Sequence, residues 1–420
     1  MIRILIKKAA TVLLLLTFCT ALQAQSSRYI FVNTAPGRSW SVAHPSTFNR
    51  QIIDEIIEGV GTRGNAELRV GISFVFDFLR ADLDSVAASL DRFMALSRQT
   101  GIPILINLDG VNWWGARPDL WNWWDPSAPG YNPANRRNVE WSGWSDSLAV
   151  KICWRNWGAQ LRVLPAPNLS SPAVLAAHIA ALQQLIPRIV KWYNQLPADR
   201  KYLLGGVKLG HETSIGVNAY YYKKGNRYLE QRPHDPGLDP LESFQAGAGL
   251  SGGLAQLGYA AVSTAGIAHQ GRITREDIAR VVYHYLDTVC QTACHLGLPR
   301  ELIYTHQGDT YAPWHEHLSF AAAANAWSRP GWSFYSVDPA TAGDLGDVLD
   351  RREHPGWAAV EWWWPGETEP EWSSHLLQTL TYKDCRFLDI YNWENMLEKS
   401  ADGRAAIRRV AGMLQKRYAR

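Results

Sequence analysis

Eight times along this chain of 420 residues, a short apolar run of strand character precedes an amphipathic helical run. "YIFVNTA" (29–35) leads to "STFNRQIIDEIIEGV". "ELRVGISFVF" (67–76) leads to "DLDSVAASLDRFMALSRQTG", which opens on helix-capping aspartates and stops at glycine. "IPILINLDG" (102–110) and "YLLGGVKLGHE" (202–212) each meet a long loop before their helices. "ELIYTHQGD" (301–309), "GWSFYSVD" (331–338), "GWAAVEWWW" (356–364) and "FLDIYNWE" (387–394) lead to "HLSFAAAANAW", "GDLGDVLDRR", "EWSSHLLQTL" and "GRAAIRRVAGMLQKRY". Such alternation predicts a parallel sheet covered by helices. Eight units in a chain of this length predict an α/β fold, a (β/α)8 TIM barrel with long insertions after strands 3 and 4. An open doubly wound sheet is the alternative, but it advertises a glycine-rich first turn. "VNTAPGRSW" is a poor one.

The insertions span 111–157 and 213–271 and leave the carboxyl ends of strands, where barrel enzymes build their sites. The first carries "NWWGARPDLWNWWD", "EWSGWS" and "CWRNWG". Loops this long are either functional or disordered, and disorder disfavours aromatics. The chain has 20 Trp and 17 Tyr against 4 Met, more flat amphipathic surface than a core alone requires. Sugars, apolar on one face and polar at the edge, match that surface. Trp113, Trp114, Trp123 and Trp124 are expected to divide between cleft and core.

The first 24 residues predict a cleavable signal peptide: a basic start (Arg3, Lys7, Lys8), an apolar run from Ala9 to Leu22, and a small residue, Ala24. Residues 25–420 would then form a single catalytic barrel, secreted or periplasmic and of bacterial type. Those three cations account for the whole formal charge of +3, leaving a mature chain near neutrality. Neutrality gives no electrostatic case for nucleic acid or an anionic membrane as partner. Cys153, Cys290, Cys294 and Cys385 are too few for a disulfide scaffold. Cys290 and Cys294 share a helix face and read as small buried hydrophobes, with a metal pair as the alternative; the pairing of the others stays open.

The chemistry concentrates at strand ends. His211 and Glu212 close the fourth strand, and Glu361 lies at the end of the seventh, in "AAVEWWWPGE". A carboxylate among tryptophans is costly unless hydrogen-bonded or used. Two carboxyls facing across one pocket can cleave a glycosidic bond, one as proton donor and one as nucleophile or base. Their separation decides the outcome: about 5 Å for retention, about 6.5–9.5 Å for inversion.

An acidic residue ending strand four and a glutamate ending strand seven of an eight-fold barrel resemble clan A of the glycoside hydrolases, which are retaining enzymes. The resemblance implies Glu212 as general acid/base and Glu361 as nucleophile. It further implies Arg69 as the arginine near the nucleophile, Tyr335 as its hydrogen-bond donor and Trp393 as the ring beneath the reacting sugar. The chain departs from the clan at His211, where asparagine usually contacts the sugar 2-hydroxyl; histidine can donate or accept there. Asn107, Asp109, Trp113, Trp114, His306 and Trp363 complete the expected sugar-binding set, with Asp109 the substitute acid if Glu212 is not the donor.

No metal or other cofactor is expected. His315 and His317, two apart, point away from each other on a helix, which leaves a metal route through His306, Gln307 and Asp309 without a ligand set. "GLSGG" (249–253) lies in a glycine-rich loop and not at the strand-to-helix turn that a nucleophilic serine requires. The expected function is a secreted glycoside hydrolase acting on a poly- or oligosaccharide by a retaining two-carboxylate mechanism. The alternative is a non-catalytic carbohydrate-binding barrel.

Overall fold

The computed structural model describes residues 27–35, 39–151, 153–156, 160–215, 217–219, 249–250, 254–308, 318–351, 356–364 and 366–418. The expected signal peptide, Asp309, His315, His317 and most of "GLSGG" lie outside the described residues. Eight parallel strands close into a barrel. They are β1 Arg28–Thr34, β2 Leu68–Asp77, β3 Ile104–Asp109, β4 Leu204–Thr213, β5 Ile303–Gln307, β6 Gly331–Tyr335, β7 Trp357–Trp363 and β8 Cys385–Ile390. Each pairs with its sequence neighbours, and β1 pairs with β8, Tyr29 opposite Phe387 through Val32 opposite Ile390, to shut the ring.

Among the described residues, seven helices cover the barrel: α1 Arg50–Val60, α2 Leu83–Thr100, α3 Pro172–Gln195, α4 Arg275–His295, α5 Leu345–Asp350, α6 Glu369–Thr381 and α7 Ala401–Tyr418. Their ends follow from local chemistry. Asp82 accepts the Ser85 N–H at 2.8 Å to start α2, and Gly101, at φ +73°, ends it. Thr274 with Asp277, and Thr368 with Glu371, form reciprocal capping boxes on α4 and α6. Helix α1 buries Ile53, Ile56, Ile57 and Val60, one stripe at helical spacing.

The helix expected from "HLSFAAAANAW" is absent among the described residues; only a 3₁₀ turn, Phe320–Ala323, is formed. Two carbonyls at that turn face the barrel instead of a next helical turn. Phe320 O accepts the Trp332 indole at 3.1 Å, and Ala323 O accepts the Thr305 hydroxyl at 3.0 Å. Tertiary partners thus override alanine's high helix propensity.

Inside the barrel the lower level is apolar, a cluster of Phe31, Leu105, Tyr304, Ala358, Val360 and Phe387. Phe31 fits because Gly205 has no side chain: a Cβ there would stand 2.3 Å from Cζ of the ring. Above that plug the inward groups turn polar: Asn33, Ser73, Asn107, Lys208, His306 and Asp389, each 3% exposed or less. The connection from β3 to α3 spans 110–171, and that from β4 to α4 spans 214–274, both longer than the expected insertions. Glu140 of the first accepts the Gly258 N–H of the second at 3.0 Å, tying the two together. No disulfide forms among the described residues.

Candidate active site

Strict alternation along β7 conflicts with the contacts Glu361 makes. Ala358 and Val360 both belong to the interior cluster, so the next inward residue on a regular strand would be Trp362. The pairing with β6 resolves the conflict. Trp332 lies opposite Ala359, but Ser333 lies opposite Glu361, leaving Val360 as an extra residue. A bulge of this kind re-aims a side chain, and Glu361 is turned into the barrel mouth. Strand β4 is irregular at the same height. Thr305 lies opposite Leu209 and Gln307 opposite Thr213, four residues of β4 against two of β5. Gly210 takes φ +76° and Glu212 φ +46° to accommodate the excess. A left-handed conformation at a non-glycine residue costs about 1–3 kcal/mol and persists where the surroundings enforce it. Gly308 of the following loop is part of that enforcement: a Cβ there would sit 2.8 Å from the Glu212 carbonyl oxygen.

The two glutamates meet over one phenol. Tyr335 Oη lies 3.0 Å from Glu212 Oε1 and 2.5 Å from Glu361 Oε1. Those two oxygens therefore stand at most 5.5 Å apart, 3.0 plus 2.5. Glu361 is 6% exposed. Burial first, and the Glu212 charge second, push its carboxyl up to about 8, against the opposing pull of Lys208 and the Tyr335 hydroxyl. Burial and the two carboxylates likewise hold the Tyr335 phenol well above its usual value. Tyr335 is thus a permanent donor shared by two acids that cannot both ionise freely.

His306 supports this arrangement from below. Its Nδ1 accepts the Glu212 backbone N–H at 3.1 Å, so that nitrogen carries the lone pair. The proton of the neutral ring is then on Nε2, 2.8 Å from Ser333 Oγ and 3.7 Å from Glu361 Oε2. The Ser333 hydroxyl in turn favours the Tyr335 oxygen. Two hydrogen bonds thus link the Glu212 backbone through His306 to Ser333, two residues before the phenol that bridges the acids. Burial, and then the Lys208 charge, keep both His306 and His211 well below the ordinary histidine range and hence neutral.

His211, His306 and Glu361 each offer a ligand atom within 4.8 Å of the others. The hydrogen bonds do not fit a metal. A ligating histidine donates through its second nitrogen, whereas His306 accepts through Nδ1 and has Nε2 engaged with Ser333.

The remaining expected residues separate by height and side. At the carboxyl end of β3, Asp109 Oδ1 accepts the Val111 N–H at 2.7 Å, and burial raises its carboxyl to about 6. Asp77, paired with it across β2 and β3, is held well above the carboxylate range by burial and by the Asp109 charge. Asp109 is fully buried, with no surface for a leaving group to reach. Asn107 is also fully buried beside Asp389, one layer below. His211 is half-buried and stands edge-on to His306, ring centroids 5.2 Å apart. Trp363 is 38% exposed at the end of β7. Trp113 is half-buried beneath the Arg80 guanidinium, 5.0 Å from its ring centroid.

Three expected ligand-binding residues are elsewhere. Arg69 is the second residue of β2, at the amino end of the barrel, stacked 3.8 Å over the Tyr202 ring. Trp114 is fully buried, its indole donating to Pro165 O at 3.1 Å. Trp393 faces outward onto α1: its indole donates to Glu55 at 3.3 Å, and its ring fills the space left by Gly59.

Two groups at the mouth were not anticipated. Tyr391, just past β8, is 37% exposed. Partial burial, then the charges of Glu361 and Glu212, raise its phenol to about 12, which places it beside the pair. Lys208, 1% exposed on β4, is the second. Both had a signal: Tyr391 lies two residues beyond the inward Asp389, and Lys208 is an ionisable group inside an apolar strand, as Glu361 is.

No family model matches the chain, and no curated protein matches it by sequence. Solved structures similar to it include a GH5-4 broad specificity endoglucanase from an uncultured bacterium, at 8% identity and TM-score 0.37, covering 94% of this chain and 95% of that one. The catalytic domain of a β-amylase from Paenibacillus polymyxa shows 7% identity and TM-score 0.48, covering 93% and 99%. TcOYE with pHBA shows 9% identity and TM-score 0.39, covering 90% and 89%. At these identities and TM-scores the likenesses assign neither a family nor an activity to this chain.

Proposed function

We propose that the protein hydrolyses glycosidic bonds with net retention, using Glu361 as nucleophile and Glu212 as general acid/base. The observation that carries this reading is the shared phenol, which limits the facing carboxylate oxygens to 5.5 Å. That spacing admits a sugar carbon attacked directly and is too short to seat a water in line, as inversion requires at about 6.5–9.5 Å.

In the first step the Glu361 carboxylate attacks the anomeric carbon while Glu212 gives its proton to the departing oxygen. In the second, Glu212 takes a proton from water, whose oxygen displaces Glu361 and regenerates the pair. Tyr335 donates to whichever carboxylate carries the charge. The neutral His306 orders the backbone of Glu212, and Trp363 and Tyr391 offer apolar ring surface at the rim for a saccharide. With residues 1–24 as a signal peptide, the enzyme would act outside the cytoplasm on a poly- or oligosaccharide.

The test is turnover of an aryl glycoside panel by wild type, Glu361→Gln and Glu212→Gln. Loss of nearly all hydrolysis in Glu361→Gln, with sugar binding intact by calorimetry, is the expected result. Undiminished turnover in that variant contradicts the role. Binding without release of reducing ends by wild type would instead make the protein a sugar-binding barrel.

A further inference from the structure

The mechanism above leaves Lys208 without a part. It stands on β4 four residues before Glu212 and is 1% exposed. Its Nζ donates to Val360 O at 3.2 Å, the carbonyl immediately before Glu361, and this is its one hydrogen bond among the described residues. A buried ammonium with one neutral acceptor is costly unless opposite charge surrounds it. Burial holds the Lys208 ammonium below its ordinary range, and four acids oppose it, Asp389 on β8 most strongly, then Glu361 on β7, Glu212 on β4 and Asp109 on β3.

The other cations nearby are committed elsewhere. Arg69 lies at the opposite end of the barrel, and Arg80 is 3.2 Å from Asp77. His211 on β4 and His306 on β5 are neutral, and Tyr335 on β6 and Tyr391 on β8 keep their protons, so none of them adds a charge. Asp389, meanwhile, is fixed from its other side by the Ser73 hydroxyl at 2.6 Å, itself held by Asn33 at 2.8 Å.

We propose that Lys208 is the positioning cation that favours negative charge on Glu361, so that the last proton of the carboxyl pair can pass to Glu212. The inference rests on the hydrolase reading above. It replaces the arginine that the family resemblance led one to expect near the nucleophile. Lys208 acts through the peptide preceding Glu361 and touches no substrate. Asp389 competes with Glu361 for the same ammonium, so the two acids must respond to each other.

The test uses Lys208→Met and Asp389→Asn in the full-length mature chain. Carbon-13 NMR titration of labelled glutamate carboxyls, assigned with Glu361→Gln and Glu212→Gln, reads ionisation without turnover. Lys208→Met is expected to move the Glu361 step upward by about one pH unit or more, as loss of a nearby opposite charge does. It should lower kcat by about tenfold or more with a smaller change in KM. Asp389→Asn is expected to move the same step downward, since the competing anion is gone. A merely structural lysine would lower Tm and leave the step in place. An unmoved Glu361 step in Lys208→Met, or a shift of the same sign in both variants, overturns the proposal. If Lys208→Met does not fold, Lys208→Gln and the sign of the Asp389→Asn shift decide it. Should wild type lack turnover, the hydrolase reading fails while the carboxyl titration still judges Lys208.

Discussion

Glu361→Gln should make the protein more stable at alkaline pH while removing its turnover. Burial and the Glu212 charge raise the Glu361 carboxyl from 4.5 to about 8. The folded state therefore holds the last proton of this carboxyl pair more tightly than the unfolded chain does. The stability it contributes is complete below pH 4.5 and is lost as pH rises through about 8. At about 1.4 kcal/mol for each pH unit between the two values, the full loss is on the order of 5 kcal/mol. Because the interacting acids of the site respond to one another, the measurable share is about 2–5 kcal/mol. Glutamine keeps the shape and can still accept from Tyr335, but it does not ionise. Urea unfolding of both proteins, followed by tryptophan fluorescence from pH 4.5 to 9, supplies the comparison. The variant-minus-wild-type difference should climb steadily over that window, whatever fixed offset the amide introduces. A difference that stays flat would refute the claim that Glu361 is a strained, desolvated acid.

Other consequences follow from the same geometry. Loss of the last proton of the Glu361 and Glu212 pair near pH 8 should make kcat/KM fall above that pH, and an efficiency that rises steadily through pH 9 would contradict a proton-sharing pair. Gly308→Ala puts a Cβ within 2.8 Å of the Glu212 carbonyl and should reduce kcat by about a hundredfold, with thermal unfolding shifted far less than activity; unchanged kinetics would show the close approach to be dispensable. Trp363→Ala and Tyr391→Ala, each more than a third exposed, should raise KM for longer saccharides yet alter stability by about 0.5 kcal/mol or less, checked by kinetics and denaturation together.

How much of this was legible beforehand depends on which physical rule decided each position. The strand and helix runs rest on hydrophobic periodicity, and the barrel follows because parallel strands need long crossovers. Glu361 stood out as a carboxylate in an apolar strand, and Glu212 as the polar end of another. What periodicity cannot supply is the direction of a side chain near a strand end. The bulge at Val360 reverses the alternation that would have turned Glu361 outward. Trp393 was expected under a sugar, but the chain past β8 turns it onto α1, where Gly59 leaves room for it. Arg69 is the second residue of its strand, and distance along β2 alone sets it at the far end of the barrel from the acids. Lys208 obeyed the same rule that singled out Glu361, and its role needed the ring closed before its neighbours could be known. The Ala-rich run near residue 322 has strong helix propensity, yet carbonyls claimed by Thr305 and Trp332 leave only a 3₁₀ turn.

Trapping of the glycosyl-enzyme tests the account most directly. A 2-deoxy-2-fluoro aryl glycoside of a sugar the protein turns over, followed by peptide mass spectrometry, reports which side chain forms the bond. One sugar adduct, on Glu361, is the expected result. An adduct on any other residue, or release of the inverted anomer with no adduct at all, would contradict it.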